Sequence, residues 1–385
     1  VSPRLTESAL RKLRRELHRR PEPSGAEKAT AARIAQILTV LGVADIRSGL
    51  GGHGVAAVLE GGAGDGPTIL LRADLDALPI PDRTGKDWSS TVPGTGHMCG
   101  HDGHMTILTG VIDRLLGELD GLTGRIVALY QPAEEIAHGA RAVLDDPAFR
   151  ELEPDYVCAL HNLPGFPLGA VILREGIFAS ASRGLILRLH GETSHAAHPE
   201  DARTPAPAVA ALIDGLTALP QLVTPLEQAA LVTVIHAELG EVAFGTTPGE
   251  AAVMATLRSH RDAEMESLGE AALRLAEGTA RTWNLDWEHE WVEVFPACPN
   301  DAKLVEHVAE AAAYLELPVV RPETPFPWSE DFGEFLQRYP GVLFGLGAGE
   351  EHPQLHSSRY DFPDELIEPG IGLFYGLVRR LLGVD

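Results

Sequence analysis

The rhythm of strand and helix signals changes once along this chain and changes back. Before about residue 180, short β-rich runs alternate with longer helical stretches, the signature of an α/β domain with a mainly parallel sheet. Strands are expected at 55–60, 68–73, 125–131 and 155–160, with helices at 27–41 and 103–119. The second helix carries Met105, Leu108, Ile112 and Leu115 at helical spacing. The order then becomes strand 182–191, helix 205–219, strands 231–236 and 251–258, helix 263–282 and strand 286–294. That β-α-β-β-α-β succession is the ferredoxin-like pattern. After Pro299-Asn300-Asp301 the alternation resumes, with helices at 302–315 and 331–338, a strand at 341–346 and a closing helix at 365–382. The simplest architecture is a discontinuous α/β domain, 1–181 and 296–385, with a smaller α+β domain, 182–295, inserted into it.

Charge narrows the partners. Lys and Arg number 31 against 55 Asp and Glu, a net charge of −24 over 385 residues. Such a chain repels a phosphate backbone, so no nucleic-acid partner is expected. Its 44% hydrophobic and 22% charged residues belong to a globular protein, not a disordered one. No membrane span is expected. The basic residues crowd the first stretch: Arg4, Arg11, Lys12, Arg14, Arg15, Arg19 and Arg20. There Thr6 is a natural N-cap, and Leu10, Leu13 and Leu17 share a helix face. Glu7 and Glu16 argue against a targeting helix, and no apolar signal core is visible, so the expected compartment is the cytoplasm. Three cysteines, Cys99, Cys158 and Cys298, are too few and odd in number for a disulfide framework.

In open α/β sheets a ligand sits beyond the carboxyl ends of the strands. Strand 68–73 leads into Asp74-Leu75-Asp76, and strand 125–131 into Pro132-Ala133-Glu134-Glu135. His161 follows strand 155–160, and strand 341–346 leads through a Gly-rich loop to His356. One polar strand end means little; four together argue for a built site. The densest segment is His97-Met98-Cys99-Gly100-His101-Asp102-Gly103-His104. Cys99 and His101, two apart in a Gly-flanked turn, offer a thiolate and an imidazole suited to zinc and neighbouring metals. Taken alone, Cys99 could equally be a small buried hydrophobe. The adjacent Glu134 and Glu135 could point apart, one carboxylate on a metal and the other free as a general base. As an isolated pair they could instead be the acidic start of a helix. The loop Thr193-Ser194-His195-Ala196-Ala197-His198-Pro199 could be structural or functional.

These segments resemble the two-metal aminoacylase and hippurate-hydrolase family, in particular its auxin-conjugate and N-acyl amino acid amidohydrolase branch. The matching stretches are LHRRPEPSGAE (17–27), LLRADLDALPI (70–80), HMCGHDGHM (97–105), YQPAEE (130–135), LHNLPG (160–165), TSHAAHPE (193–200), SEDFGEF (329–335) and LHSSRYDF (355–362). They span nearly the whole chain in the family's order. The resemblance implies a site for two divalent ions, zinc or manganese with nickel or cobalt as alternatives, made by Cys99, His101, Glu135, His161 and His356. It implies Glu134 as general base and Asp76 as the carboxylate supporting the metal cluster. His195 matches a lid-domain histidine that reaches the partner subunit's active site, which implies a homodimer through the inserted domain. Arg258 matches a position that helps bind the substrate carboxylate.

The implied reaction is hydrolysis of the amide bond of a small N-acyl amino acid, hippurate-like or indole-acyl, by attack of metal-bound water. The alternatives on the same fold are an N-carbamoyl amino acid hydrolase and a dipeptidase. Two departures stand out. His138 falls in the stretch after the acidic pair, where it either lines the pocket or faces solvent. Where many relatives carry Asn before Pro in the insert, this chain reads Phe244-Gly245-Thr246-Thr247-Pro248, so an amide that could hold the reacting carbonyl is missing.

Overall fold

The computed structural model of the chain describes residues 5–384, so Arg4 of the basic stretch lies outside the described residues. The chain divides into a discontinuous unit (Val1–Phe178, Cys298–Thr324 and Glu330–Asp385) and an inserted unit (Ala179–Ala297 with Pro325–Ser329). The first part of the discontinuous unit holds β1 (Asp45–Leu50), β2 (Gly54–Glu60), β3 (Thr68–Asp74), β4 (Arg125–Gln131), β5 (Tyr156–Pro164), β6 (Val171–Ile172) and β7 (Gly176–Ile177). The inserted unit holds β8 (Ala181–His190), β9 (Ala230–Leu239), β10 (Glu250–Ser259) and β11 (Asp286–Phe295). The chain then returns with β12 (Pro299–Asn300), β13 (Val319–Val320) and β14 (Gly341–Gly349).

Among the described residues, the discontinuous unit forms an eight-stranded sheet in the order β1-β2-β4-β3-β5-β14-β6-β13, with a small β12-β7 pair beside it. The centre, β4-β3-β5-β14, is parallel. Strands β1 and β2 join antiparallel at one side. Runs such as Ile69-Leu70-Leu71 and Ile126-Val127-Ala128-Leu129 are buried throughout, as strands covered on both faces must be. Helices Glu7–His18, Lys28–Leu41, His101–Leu116, Ala302–Tyr314 and Ile367–Leu381 contribute to the same core.

Several boundaries differ from the sequence expectation for physical reasons. The helix expected at 103–119 is His101–Leu116. It starts earlier because Gly100, at φ 93°, supplies a left-handed N-cap position. A Cβ there would also lie 2.5 Å from Asn162 Oδ1. The strand expected at 155–160 runs on to Pro164 because β14 extends to Gly349 and pairs Gly345 with His161 and Leu346 with Asn162. His161 therefore lies inside a strand, not after it. The helix expected at 331–338 shrinks to Gly333–Leu336. Its would-be N-terminal acids, Glu330 and Asp331, turn to Arg72 instead. Strand β1 lacks a strand pattern because its sequence, DIRSGL, is polar and buries only Leu50.

The inserted unit has the β-α-β-β-α-β order, and its antiparallel sheet runs β11-β8-β10-β9. Burial alternates along β8 and β10, the mark of a sheet covered on one face. Leu185, Leu187, Leu189, Val253, Ala255 and Leu257 are the buried set, as are Leu212 and Leu216 of helix Ala206–Val223 and Leu268 and Ala272 of helix Asp262–Thr282. By length and composition, helix Ala206–Val223 is apolar enough to cross a membrane. In the fold it lies beside β9, β10 and helix Asp262–Thr282.

Candidate metal centre

Because β3, β4 and β5 are parallel neighbours, their carboxyl ends meet at one edge of the sheet. Asp74 closes β3 and Asp76 follows it; Glu134 and Glu135 follow β4; His161 lies in β5. The loop before helix His101–Leu116 brings Cys99, and the helix start brings His101. His356 enters from the loop after β14, where its backbone N–H donates to Met98 O at 2.8 Å and its φ is 62°. A non-glycine residue held there is under local strain, a feature that gathers at working sites.

Donor atoms of Cys99, His101 and His161 lie within 4.8 Å of one another, and so do those of Cys99, Glu135 and His356. Cys99 is common to both groups. Its Sγ lies 3.5 Å from His161 Nε2, while His356 Nε2 lies 3.4 Å from Glu135 Oε2. The imidazoles are oriented from behind. His101 Nδ1 is 2.9 Å from the backbone carbonyl of Asp76, and His161 Nδ1 is 2.9 Å from that of Asn162. A carbonyl only accepts, so each Nδ1 carries the proton and each Nε2 offers a lone pair. His101 Nε2, Glu135 Oε1 and Asp76 Oδ1 are buried without a hydrogen-bond partner. Unsatisfied buried acceptors are costly, and a cation among them removes that cost. The donor set of one thiolate, imidazoles and a carboxylate fits divalent transition metals.

Electrostatics points the same way. Burial and the charges of Glu135, Glu134 and Asp74 push the Cys99 thiol far above its usual range. Burial works against charge on His101, but Asp74, Asp76 and Glu135 outweigh it and push the imidazole up to about 10. Burial, then Glu330, Glu135 and Asp331, raises Glu134 well above an ordinary carboxyl group.

Comparison with known proteins decides the family. The profile of "Peptidase family M20/M25/M40" matches residues 70–380. The chain belongs to peptidase family M20/M25/M40. It is a hydrolase of that family, and its sequence is 32% identical to N-acetylcysteine deacetylase of Bacillus subtilis (strain 168), over 87% of each protein. It is 28% identical to N-acetyldiaminopimelate deacetylase of Bacillus velezensis, over 94% of this chain and 96% of that one. The Bacillus subtilis YXEP protein, a dinuclear metal binding peptidase of the M20 family, superposes with a TM-score of 0.83 at 28% identity, covering 98% of this chain and 99% of that one.

In this M20 chain the fold brings Cys99, His101, Glu134, Glu135, His161, His356 and Asp76 together. His195 and Arg258 belong to the inserted unit. His195 is exposed, bridges Thr246 in antiparallel fashion and accepts from Ala197 N–H on its Nδ1 at 3.1 Å. Arg258 is half-buried and donates to Pro327 O and Ser329 Oγ at 3.0 and 3.2 Å. His138 is exposed. The residue before Pro248 is Thr247, whose hydroxyl accepts from Ser194 N–H at 2.7 Å.

Behind the ligands lies a buried polar network whose pairings no local motif gives. Asp74 accepts from Arg72 Nη1 at 2.7 Å and lies 2.6 Å from His104 Nδ1. Arg72 also bonds Glu330 and Asp331, at 2.9 Å each. Asn162 Nδ2 donates to Cys99 O at 3.0 Å and to Tyr360 Oη at 2.6 Å, bracing the cysteine loop. The available signal was Arg72 itself, a charge inside the apolar run ILLRAD, which burial tolerates only with acids around it.

Proposed function

We propose that this chain hydrolyses the amide bond of small N-acyl amino acids, using two divalent ions held by Cys99, His101, Glu135, His161 and His356. The observation that carries the reading is a pair of donor groups sharing Cys99, with the Glu134 carboxylate beside them. Bound divalent ions supply the positive charge that lowers the pKa of a water and polarises a carbonyl. Glu134 accepts the proton from the attacking water and delivers it to the departing amine. Asp76 holds His101 through its backbone carbonyl and accepts from Glu135 N–H at 3.0 Å, keeping both side chains in register. From the family resemblance, His195 donates to the developing oxyanion in the partner subunit's active site, and Arg258 receives the substrate carboxylate. The Cys99 thiolate favours zinc, whereas the histidines and carboxylate suit manganese, nickel or cobalt as well.

The relatives named as N-acetylcysteine and N-acetyldiaminopimelate deacetylases favour an N-acetyl amino acid over a hippurate or indole-acyl conjugate. The homodimer reading gains support from β9, whose one ladder partner among the described residues is β10. An unpaired strand edge bordered by exposed Leu226, Val242 and Phe244 invites a second copy. Cytoplasmic residence fits three free, buried cysteines. The test is a panel of N-acetyl, N-benzoyl, indole-acyl and N-carbamoyl amino acids and dipeptides, run on protein of measured metal content. N-acetyl substrates should turn over fastest; no hydrolysis of any member by the metal-loaded protein would end this reading.

A further inference from the structure

The motif at 17–27 contributes no residue to the metal centre, yet its second half is built against it. Glu22 O accepts from Ala77 N–H at 2.9 Å, and Pro23 bridges Ala77 in parallel, which lays this segment along the turn after Asp76. Ser24 Oγ donates to Asp76 Oδ2 at 2.7 Å, the same oxygen that receives the Glu135 N–H. Glu27 is the N-cap residue of helix Lys28–Leu41, but its side chain makes no capping bond. Glu22 satisfies that helix end instead, accepting from the N–H groups of Ala29 and Thr30 at 3.1 and 2.7 Å. The Glu27 carboxylate, fully buried, is thereby released to accept from Ala133 N–H at 2.8 Å and from Gly25 N–H at 2.8 Å.

Ala133 is the residue immediately before the acidic pair, and its φ is 51°. An alanine in the left-handed region is strained and persists only where its surroundings impose it. We propose that Glu27 is a positioning residue: by holding the Ala133 N–H it fixes the left-handed turn that sets Glu134 and Glu135 in different directions. Ser24 acts with it, holding the Glu135 N–H through Asp76. This rests on the roles given above to Glu134 and Glu135.

The experiment compares Glu27→Ala, Glu27→Gln and Ser24→Ala in the full chain by three readouts. Amide hydrogen exchange at Ala133 is measured on the metal-free protein, zinc affinity by calorimetric titration, and kcat and KM on an N-acetyl amino acid. In Glu27→Ala, Ala133 exchange should accelerate, and kcat or zinc affinity should fall about 10–100-fold with KM nearly unchanged, the usual size for removing a group behind a ligand. Glu27→Gln keeps an acceptor oxygen and should restore exchange protection and most of kcat. Ser24→Ala should weaken zinc without changing Ala133 exchange. Wild-type exchange and kcat in Glu27→Ala, or equal damage in Glu27→Gln, would overturn the proposal. If Glu27→Ala fails to fold, Glu27→Gln and Ser24→Ala still decide it. An inactive wild type would refute the hydrolase reading alone, since exchange at Ala133 needs no turnover.

Discussion

The two units place their charged and apolar side chains in opposite ways. In the discontinuous unit, charges go inward: Arg14, His18, Arg72, Asp74, Asp76, Asp102, Glu330 and Asp331 are all buried. Each carboxylate there meets a cation or an N–H donor, and the braces converge on the loops carrying the metal-site residues. The inserted unit buries one apolar layer of its own but also turns large apolar side chains outward: Leu226, Val242 and Phe244 are 103%, 100% and 101% exposed. The first pattern is a site braced within one unit; the second is an exposed apolar surface, the one on which the proposed second copy would sit. Preorganised groups act without rearranging during reaction, so the first unit should carry metal binding by itself. The inserted unit should contribute to turnover but not to metal content.

The sharpest break of that contrast is Cys99→Ala, which removes the donor common to both groups. Both metal equivalents should be lost, and turnover should fall by about 10³-fold or more, the several kcal/mol a catalytic metal supplies. Retention of both ions on elemental analysis would disprove the shared-donor arrangement. His195→Ala should lower kcat by about 10²–10³-fold, as loss of an oxyanion donor does, with metal content unchanged. A fall in metal content would move His195 into the first pattern. Val242→Asp combined with Phe244→Asp should convert a dimer to a monomer by light scattering and reduce kcat as far as His195→Ala does. A wild type that is already monomeric would remove the need for a partner copy.

The smallest effect separates the buried network from the chemistry. His18 places Nδ1 2.9 Å from Asp102 and Nε2 3.2 Å from Asp82, so both nitrogens face acceptors and the ring is charged. Burial opposes that charge, but Asp102 and Asp82 raise the imidazole from 6.5 to about 9. A folded-state pKa above the unfolded one gives stability that is complete below pH 6.5 and lost as pH rises through about 9. The contribution amounts to about 3 kcal/mol at most. Thermal unfolding of wild type should therefore lose its advantage over His18→Gln between those limits. Parallel curves from pH 6 to 10 would show that His18 is not charged in the fold.

The alternation of strands and helices and the ferredoxin-like insert were legible because period and length survive in apolar runs such as ILL and IVAL. The metal-site candidates were legible too, since strand ends are where α/β sheets bind and the motifs fall there in order. What stayed hidden was whatever depends on contacts between distant segments. Gly100 against Asn162 moves a helix start; β14 carries β5 beyond His161; Asp331 turns to Arg72 instead of opening a helix. The braces from Ser24, Glu27, Asn162 and Tyr360 share this character. Each joins residues 52 to 198 positions apart, and no local pattern encodes that.

The division of labour proposed for the acidic pair gives Glu134 to the reaction and its neighbour to the metals. Its most direct test is Glu134→Gln, with metal content and hydrolysis of an N-acetyl amino acid measured on the same preparation. Wild-type metal content is expected, with kcat lowered about 10²–10⁴-fold, the span of general acid–base catalysis. Loss of metal in step with activity, or turnover close to wild type, would contradict it.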